Sequence, residues 1–314
     1  MQIPLVPATR AVIDMSFLGD VKRILPPSVV VRLRKSRNTL LFYRDKLFSV
    51  DKAALRGTLH DLGIGAGDVV YVRSSYDQMR SIRATPLEMI DILYQTVGDS
   101  GTIAMPTYPM SGLSQEYLDQ HPLFDWRRTP SQSGILTEIF RRMPGTERSI
   151  HPTHPVAARG AAAQWLTEGH ERSETPFDEH SPFRKLFECN AFILSIGYFD
   201  HMTLRHFADH IIQEKIPYPI YNDRLTKVRA IGKDGKEYVI LTKAHNPNLA
   251  CDPKIVLVRM AREGPLRTAK VGRVPLSLVR IQQYIDAYQR YYTLGLFRHY
   301  LKSQQGTPAS EGQA

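Results

Sequence analysis

From about residue 50 onward, short apolar runs alternate with stretches whose apolar residues recur at helical spacing. This alternation constrains the fold most, because a half-buried strand repeats every two residues and a surface helix every 3.6 or so. "DKAALRGTLHDLGI" carries the helical period and runs out in "GAGD", a turn. "VVYVRSS" then reads as a buried strand with the polar pair Ser74 and Ser75 at its end. In "TPLEMIDILYQTVG" the residues predict an N-cap at Thr85, Pro86 at the first helical position and Glu88 completing a capping box. "GTIAMPTYP" follows as a strand, "SGILTEIFRRMPG" as a helix, "HPVAARG" as an extended run and "AAAQWLTEGH" as a helix. "AFILSIG" is a strong strand, and "TLRHFADHIIQE" is the helix after it. The pattern predicts an α/β fold: a layered central sheet flanked by helices, with polar strand ends gathered on one side.

The last third differs. "TKVRAIGKDGKEYVILTK" places two strand-like runs around Asp234–Gly235, a hairpin signal. "TAKVGRVPLSLVRIQQYIDAYQRYY" passes from a strand-like piece into a helix, and the residues from 303 on are expected to be disordered.

Charge narrows the partners. With 41 Lys and Arg against 31 Asp and Glu, the chain carries a formal +10 and should attract anions. Residues 1–47 hold nine of the cations against three Asp, interleaved with Val, Leu and Phe. The basic N-terminal extension, residues 1–50, reads either as an adaptor packed on the main domain or as a contact with an anionic membrane surface or pathway partner. The sequence shows no zinc finger, RNP-like motif or basic zipper, so nucleic acid is not an expected partner. Nor does it show an apolar run long enough to span a bilayer, or the order of a signal peptide. Cys189 and Cys251 have no CxxC partner and read as reduced thiols. The expected location is the cytoplasm, with residues 1–47 as a means of peripheral attachment to the inner face of the membrane. Oligomeric state is left open.

Several chemistries are excluded at the level of motifs. The chain has no GxxxxGK[ST] loop, no GxSxG elbow and no HExxH, so no metal is expected. "GIGAGD" precedes a strand rather than following one, and is read as a helix-ending turn.

Four stretches remain that put unusual polar residues at strand ends or in loops: "VRSSYDQM", "SIHPTHPVAARG", "TPFDEHSPFRKL" and "FDHMTLRHFADH". In order and spacing they resemble the aminoglycoside 3-N-acetyltransferase family, from near Leu55 to about Asp209. The matching residues are Ser74 and Ser75, Met105-Pro106-Thr107, the 149–160 run, Thr175-Pro176-Phe177 with Ser181-Pro182, and Thr203, His206 and Asp209 after Asp200. The resemblance implies an acetyltransferase domain over residues 51–302, using acetyl-CoA and acting on a small-molecule amine. It makes His206 the catalytic base, with Asp209 or Asp200 as its orienting acid. It assigns Ser74, Ser75, His151, His154 and Ser181 to coenzyme A, and Glu138 and Thr107 to the acceptor side.

The residues are suited to that chemistry. Acetyl transfer to an amine needs a base to free the nitrogen lone pair, a stabilised oxyanion and aligned substrates. An imidazole titrates near working pH, and an acid three residues on shares its helix face. The family usually carries Glu where this chain has Asp209, which shortens the reach by one methylene. Family membership points to aminoglycosides, which are polycations, whereas the chain is basic and adds Arg127, Arg128, Arg141, Arg142 and Arg148 between the motifs. On charge, the preferred acceptor is an anionic amino sugar, such as a nucleotide- or lipid-linked polysaccharide intermediate. Aminoglycoside acetylation is the alternative. A non-catalytic basic binding module is the second, favoured by Arg73 and Pro155 where the family has His and Ser.

Overall fold

Asp51 ends the short strand β1 (Val50–Asp51), and its carboxylate accepts the Ala53 N–H to cap α1 (Lys52–Asp61). Gly63, at φ +94°, turns the chain out of that helix, and "GIGAGD" is the connection into β2 (Val69–Ser74). After β3 (Ile82–Arg83), α2 (Pro86–Val97) opens with the expected box: the Glu88 N–H donates to Thr85, and the Thr85 N–H donates to Glu88. β4 (Thr102–Pro106), α3 (Ser114–Gln120), β5 (Leu123–Asp125) and α4 (Ile135–Arg142) follow. Then come β6 (Glu147–Arg148), β7 (Val156–Gly160), α5 (Ala163–Thr167), α6 (Pro182–Glu188), β8 (Phe192–Ile196) and α7 (Met202–Ile211). The hairpin β9 (Tyr221–Ile231) and β10 (Glu237–His245) turns at Gly235, φ +85°. β11 (Leu249–Ala250), α8 (Lys254–Glu263), β12 (Arg267–Val271), β13 (Val274–Arg280), α9 (Ile281–Thr293) and β14 (Tyr300–Leu301) complete the chain.

This computed structural model describes residues 48–198, 202–252 and 254–302. Residues 1–47 of the expected basic extension, Asp200 and the tail from residue 303 lie outside the described residues. Contacts divide the chain after Phe48, and the unit described here begins at Ser49. Among the described residues, no helix is long and apolar enough to cross a membrane.

The main sheet has seven strands in the order β12-β13-β8-β2-β4-β7-β6. β2 runs parallel to both neighbours, β4 and β8, and the other pairs are antiparallel. Strand alternation feeds two cores. Tyr71, Ala104, Val156, Ala158 and Ile193 face one side, with Leu166, Phe183, Leu186, Phe207, Tyr284 and Tyr288 from α5, α6, α7 and α9. Val70, Val72, Ile103, Met105, Leu194 and Ile196 face the other, with Leu55, Leu59, Ile90, Leu93 and Phe140 from α1, α2 and α4. A sheet covered on both faces accounts for the near-continuous apolar runs of its inner strands. β9 and β10 form a second sheet of three strands with β5, which pairs parallel to β9.

Candidate active site

At β2 the sheet order reverses: β4 lies on one side and the later β8 on the other, both parallel to it. Ligands of open α/β sheets collect beyond the carboxyl ends of strands at such a point. Here that place is a cleft of about 660 Å³ lined by Ser74, Ser75, Gln78, Ser133, Gly134 and Tyr198, among others. Gly197, at φ +90°, also lines it, and a Cβ there would come within 3.0 Å of Gln78 and the Ser75 carbonyl. α4 begins at this cleft from Gly134 with no side-chain cap, so its first N–H groups and the positive end of its dipole face an incoming anion. Hydroxyls, a glycine cradle and a bare helix start fit the phosphate and pantetheine of coenzyme A.

His206 stands on the second turn of α7 with its side chain 20% exposed. Its ring centroid lies 4.0 Å from that of His245, the last residue of β10. Arg205 Nη2 lies 3.3 Å from its Nδ1 and 3.2 Å from its Nε2. A point equidistant from both nitrogens at that range lies over the ring, so the guanidinium stacks and leaves the in-plane lone pair to take a proton. Burial, then His245 and Arg205, push the His206 pKa well below the ordinary imidazole value. Its resting form is therefore the neutral base. Arg73, in the position of the family's His, also lowers this basicity, and its guanidinium lies 5.3 Å from the Tyr198 ring centroid.

Asp209 is 3.9 Å from His206 Nδ1 through Oδ2 and is 1% exposed. Its Oδ1 accepts the Tyr288 hydroxyl at 2.6 Å and His299 Nε2 at 2.9 Å. Neither His245 nor His299 belongs to a sequence motif. By strand period Ile240, Thr242 and Ala244 point inward, and a register shift between Lys243 and His245 re-aims the histidine toward His206.

A second cleft, of about 600 Å³, is joined to this histidine pair through its wall. His210, one turn after His206, and Tyr221 both line it. The Tyr221 ring lies 5.4 Å from that of His245, which links the cleft wall to the His206 pair. Its walls carry Glu174, Asp178, Glu179 and Asp223 against Arg172 and Lys243. Local charge here is opposite in sign to that of the chain.

Other residues assigned by resemblance are placed in the framework. His151 is fully buried: its Nδ1 accepts the Thr153 and His154 N–H groups at 3.2 Å, and its Nε2 meets Thr242 at 3.3 Å. Ser181 has no exposed surface and caps α6 by accepting the Arg184 N–H. Thr107 donates to the Pro155 carbonyl and accepts from Arg148. Glu138 is clamped by Arg141, Arg142 and the Ser131 N–H. None of these four faces the two clefts. His154 lies nearer, with its ring 4.8 Å from Tyr108 and 5.2 Å from Phe177. Burial holds its pKa at about 3.

Among the described residues, the trio His206, Asp209 and His245 places its donor atoms within 4.8 Å of one another. Ligands around a zinc ion stand closer, about 3.4 Å apart at a bond length near 2.1 Å. The stacked Arg205 cation adds repulsion, so the trio is better built as an imidazole–carboxylate cluster than as a cation site.

Comparison with known proteins identifies the family and the fold. The sequence model for aminoglycoside 3-N-acetyltransferases matches residues 71–293. Aminoglycoside N(3)-acetyltransferase IV of Salmonella sp is 32% identical over 172 residues, covering 54% of this chain and 61% of that protein. Aminoglycoside N(3)-acetyltransferase VII of Streptomyces paromomycinus is 30% identical over 174 residues, covering 51% and 60%. The chain thus spans about three fifths of the length of these relatives. The solved structure of AAC-IIIb in binary complex with CoASH shares the fold, with a TM-score of 0.64 at 23% identity over 83% of this chain and 99% of that one. The chain belongs to the aminoglycoside 3-N-acetyltransferase family.

Proposed function

We propose that the protein transfers the acetyl group of acetyl-CoA to an amine of a polycationic, aminoglycoside-type acceptor. The acid-lined cleft, joined to His206 through Tyr221 and His245, carries this reading. It contains four carboxylates against two fixed cations, a field that attracts ammonium groups and repels the nucleotide sugars that net charge alone suggested. The names of the relatives, which act at N(3) of aminoglycosides, support the same class.

In the reaction, coenzyme A lies in the serine- and glycine-lined cleft with its phosphates toward the start of α4. The acceptor lies in the acidic cleft. His206 removes a proton from the ammonium, and the freed nitrogen attacks the thioester carbonyl. The C–N bond forms, the nitrogen gives up its second proton to solvent as the tetrahedral intermediate collapses, and the C–S bond breaks to release the coenzyme A thiolate. The thiolate or solvent takes the proton from His206. Residues 1–47 enter no step of this scheme.

Steady-state assays with acetyl-CoA test it against two acceptor panels: kanamycin-type aminoglycosides and UDP- or dTDP-amino sugars. Turnover of aminoglycosides is expected, with Glu174→Gln combined with Asp223→Asn raising their KM several-fold and leaving that of acetyl-CoA in place. Turnover confined to the nucleotide sugars would restore the anionic acceptor.

A further inference from the structure

The catalytic pair of this chain has a third member that its motif does not contain. The family match ends at residue 293, and His299 lies beyond it, in the segment leading to β14. β14 pairs antiparallel with β11 (Leu249↔Leu301, Ala250↔Tyr300), which pins that segment against the core. His299 is 5% exposed, packed against the Tyr292 and Phe297 rings at 5.5 and 6.1 Å. From there its Nε2 reaches Asp209 Oδ1 at 2.9 Å, and the Tyr288 hydroxyl reaches the same oxygen at 2.6 Å. Asp209 is thus held by one oxygen from beneath. Its other oxygen, Oδ2, faces His206 at 3.9 Å, too far for a direct hydrogen bond.

We propose that His299 is a positioning residue for acetyl transfer: it anchors Asp209 through Oδ1, keeps Oδ2 turned to His206, and offsets the carboxylate's charge so that His206 stays a neutral base. The inference rests on the reading of His206 as that base. It accounts for the shorter acid at position 209. A carboxylate gripped by two donors on one oxygen does not need to reach the imidazole, because its part is to set the field there.

The charge balance follows from the groups packed around His299. These are Asp209 from α7, His245 from β10, Cys251 beside β11 and Tyr292 from α9, with Tyr288 of α9 on the same Asp209 oxygen. Burial opposes a charged His299, but the hydrogen bond to Asp209 and the attraction of that carboxylate and of the Cys251 sulfur outweigh it and raise its pKa to about 9. At neutral pH the buried pair is an imidazolium and a carboxylate with little net charge. Arg205 then acts on His206 without an opposing free anion. Removing the His299 charge leaves Asp209 uncompensated and raises the His206 pKa.

The test is a titration of the His206 imidazole in the full chain by 15N–1H correlation spectroscopy, its signal assigned by its loss in His206→Gln. In His299→Gln, which keeps a donor but not the charge, the His206 midpoint should rise by about one pH unit. The acid limb of kcat/KM should move by the same amount, with the KM for acetyl-CoA unchanged. His299→Ala should shift the midpoint at least as far. An unmoved midpoint in His299→Gln, with the fold intact by circular dichroism, would overturn the proposal and leave His299 a packing residue. The titration needs no turnover, so an inactive protein would sink the acetyltransferase reading without deciding this one.

Discussion

At the scale of residues, the proposed base His206 is an imidazole held neutral at rest. Burial and two neighbouring cationic or cation-forming groups, Arg205 and His245, keep the proton off His206. A base with a depressed pKa is fully available above its own titration, so the acid limb of kcat/KM is expected below pH 6.5, the ordinary imidazole value. His206→Ala should lower kcat by about 10²-fold or more and remove that limb. An unchanged rate would move the base to His154, which packs on the same Phe177 ring as His206. His206 was legible in the sequence because the family motif marks it. His245 was not, since a bulge rather than the strand period aims it. His299 was not either, because it reaches Asp209 across 90 residues of sequence.

Elements show the same division between local and distant information. The capping box of α2 and the turn after α1 are written in adjacent residues, and both form as read. β5 is three residues long and exists through its pairing with β9, more than a hundred positions away, so no local pattern announces it. β13 reads locally as a strand, but its place beside β8 depends on side chains across the sheet. Ser181 illustrates how an element can claim a motif residue. The family resemblance sends it to the coenzyme, and the structure uses it as the N-cap of α6 with Pro182 at the first helical position. Ser181→Ala should therefore cost about 1 kcal/mol of stability, as lost N-caps do. Urea denaturation would show that loss, and the KM for acetyl-CoA should not change. A raised KM at unchanged stability would return Ser181 to the coenzyme cleft.

For the whole molecule, the lesson of charge is that the net value and the local field are separate quantities. A chain of formal +10 carries a cleft with more acids than bases, because folding brings together carboxylates from residues 174–179 and 223. Composition cannot report that. Folding also gathers histidines, and this has a consequence for stability. Burial holds His154 and His170 at about 3 and His245 at about 4, and keeps His151 and His206 well below the ordinary value. In the unfolded chain each titrates near 6.5. Below that pH the unfolded state binds protons that the folded state refuses, so these five groups stabilise the fold above pH 6.5 and lose that contribution as pH falls. His210 acts in the same direction. His299 is the opposite case: with a folded pKa of about 9, its contribution is complete below pH 6.5 and is lost as pH rises to 9. Each proton of difference is worth about 1.4 kcal/mol per pH unit. The stability curve should therefore peak near pH 6.5, fall gently toward pH 9, and fall several times more steeply between pH 6.5 and 5, where most carboxylates are still ionised. Urea midpoints across pH 5 to 9 would show this asymmetry, and His299→Gln should flatten the alkaline side. A midpoint constant from pH 6.5 to 5 would mean that the buried histidines accept protons without unfolding.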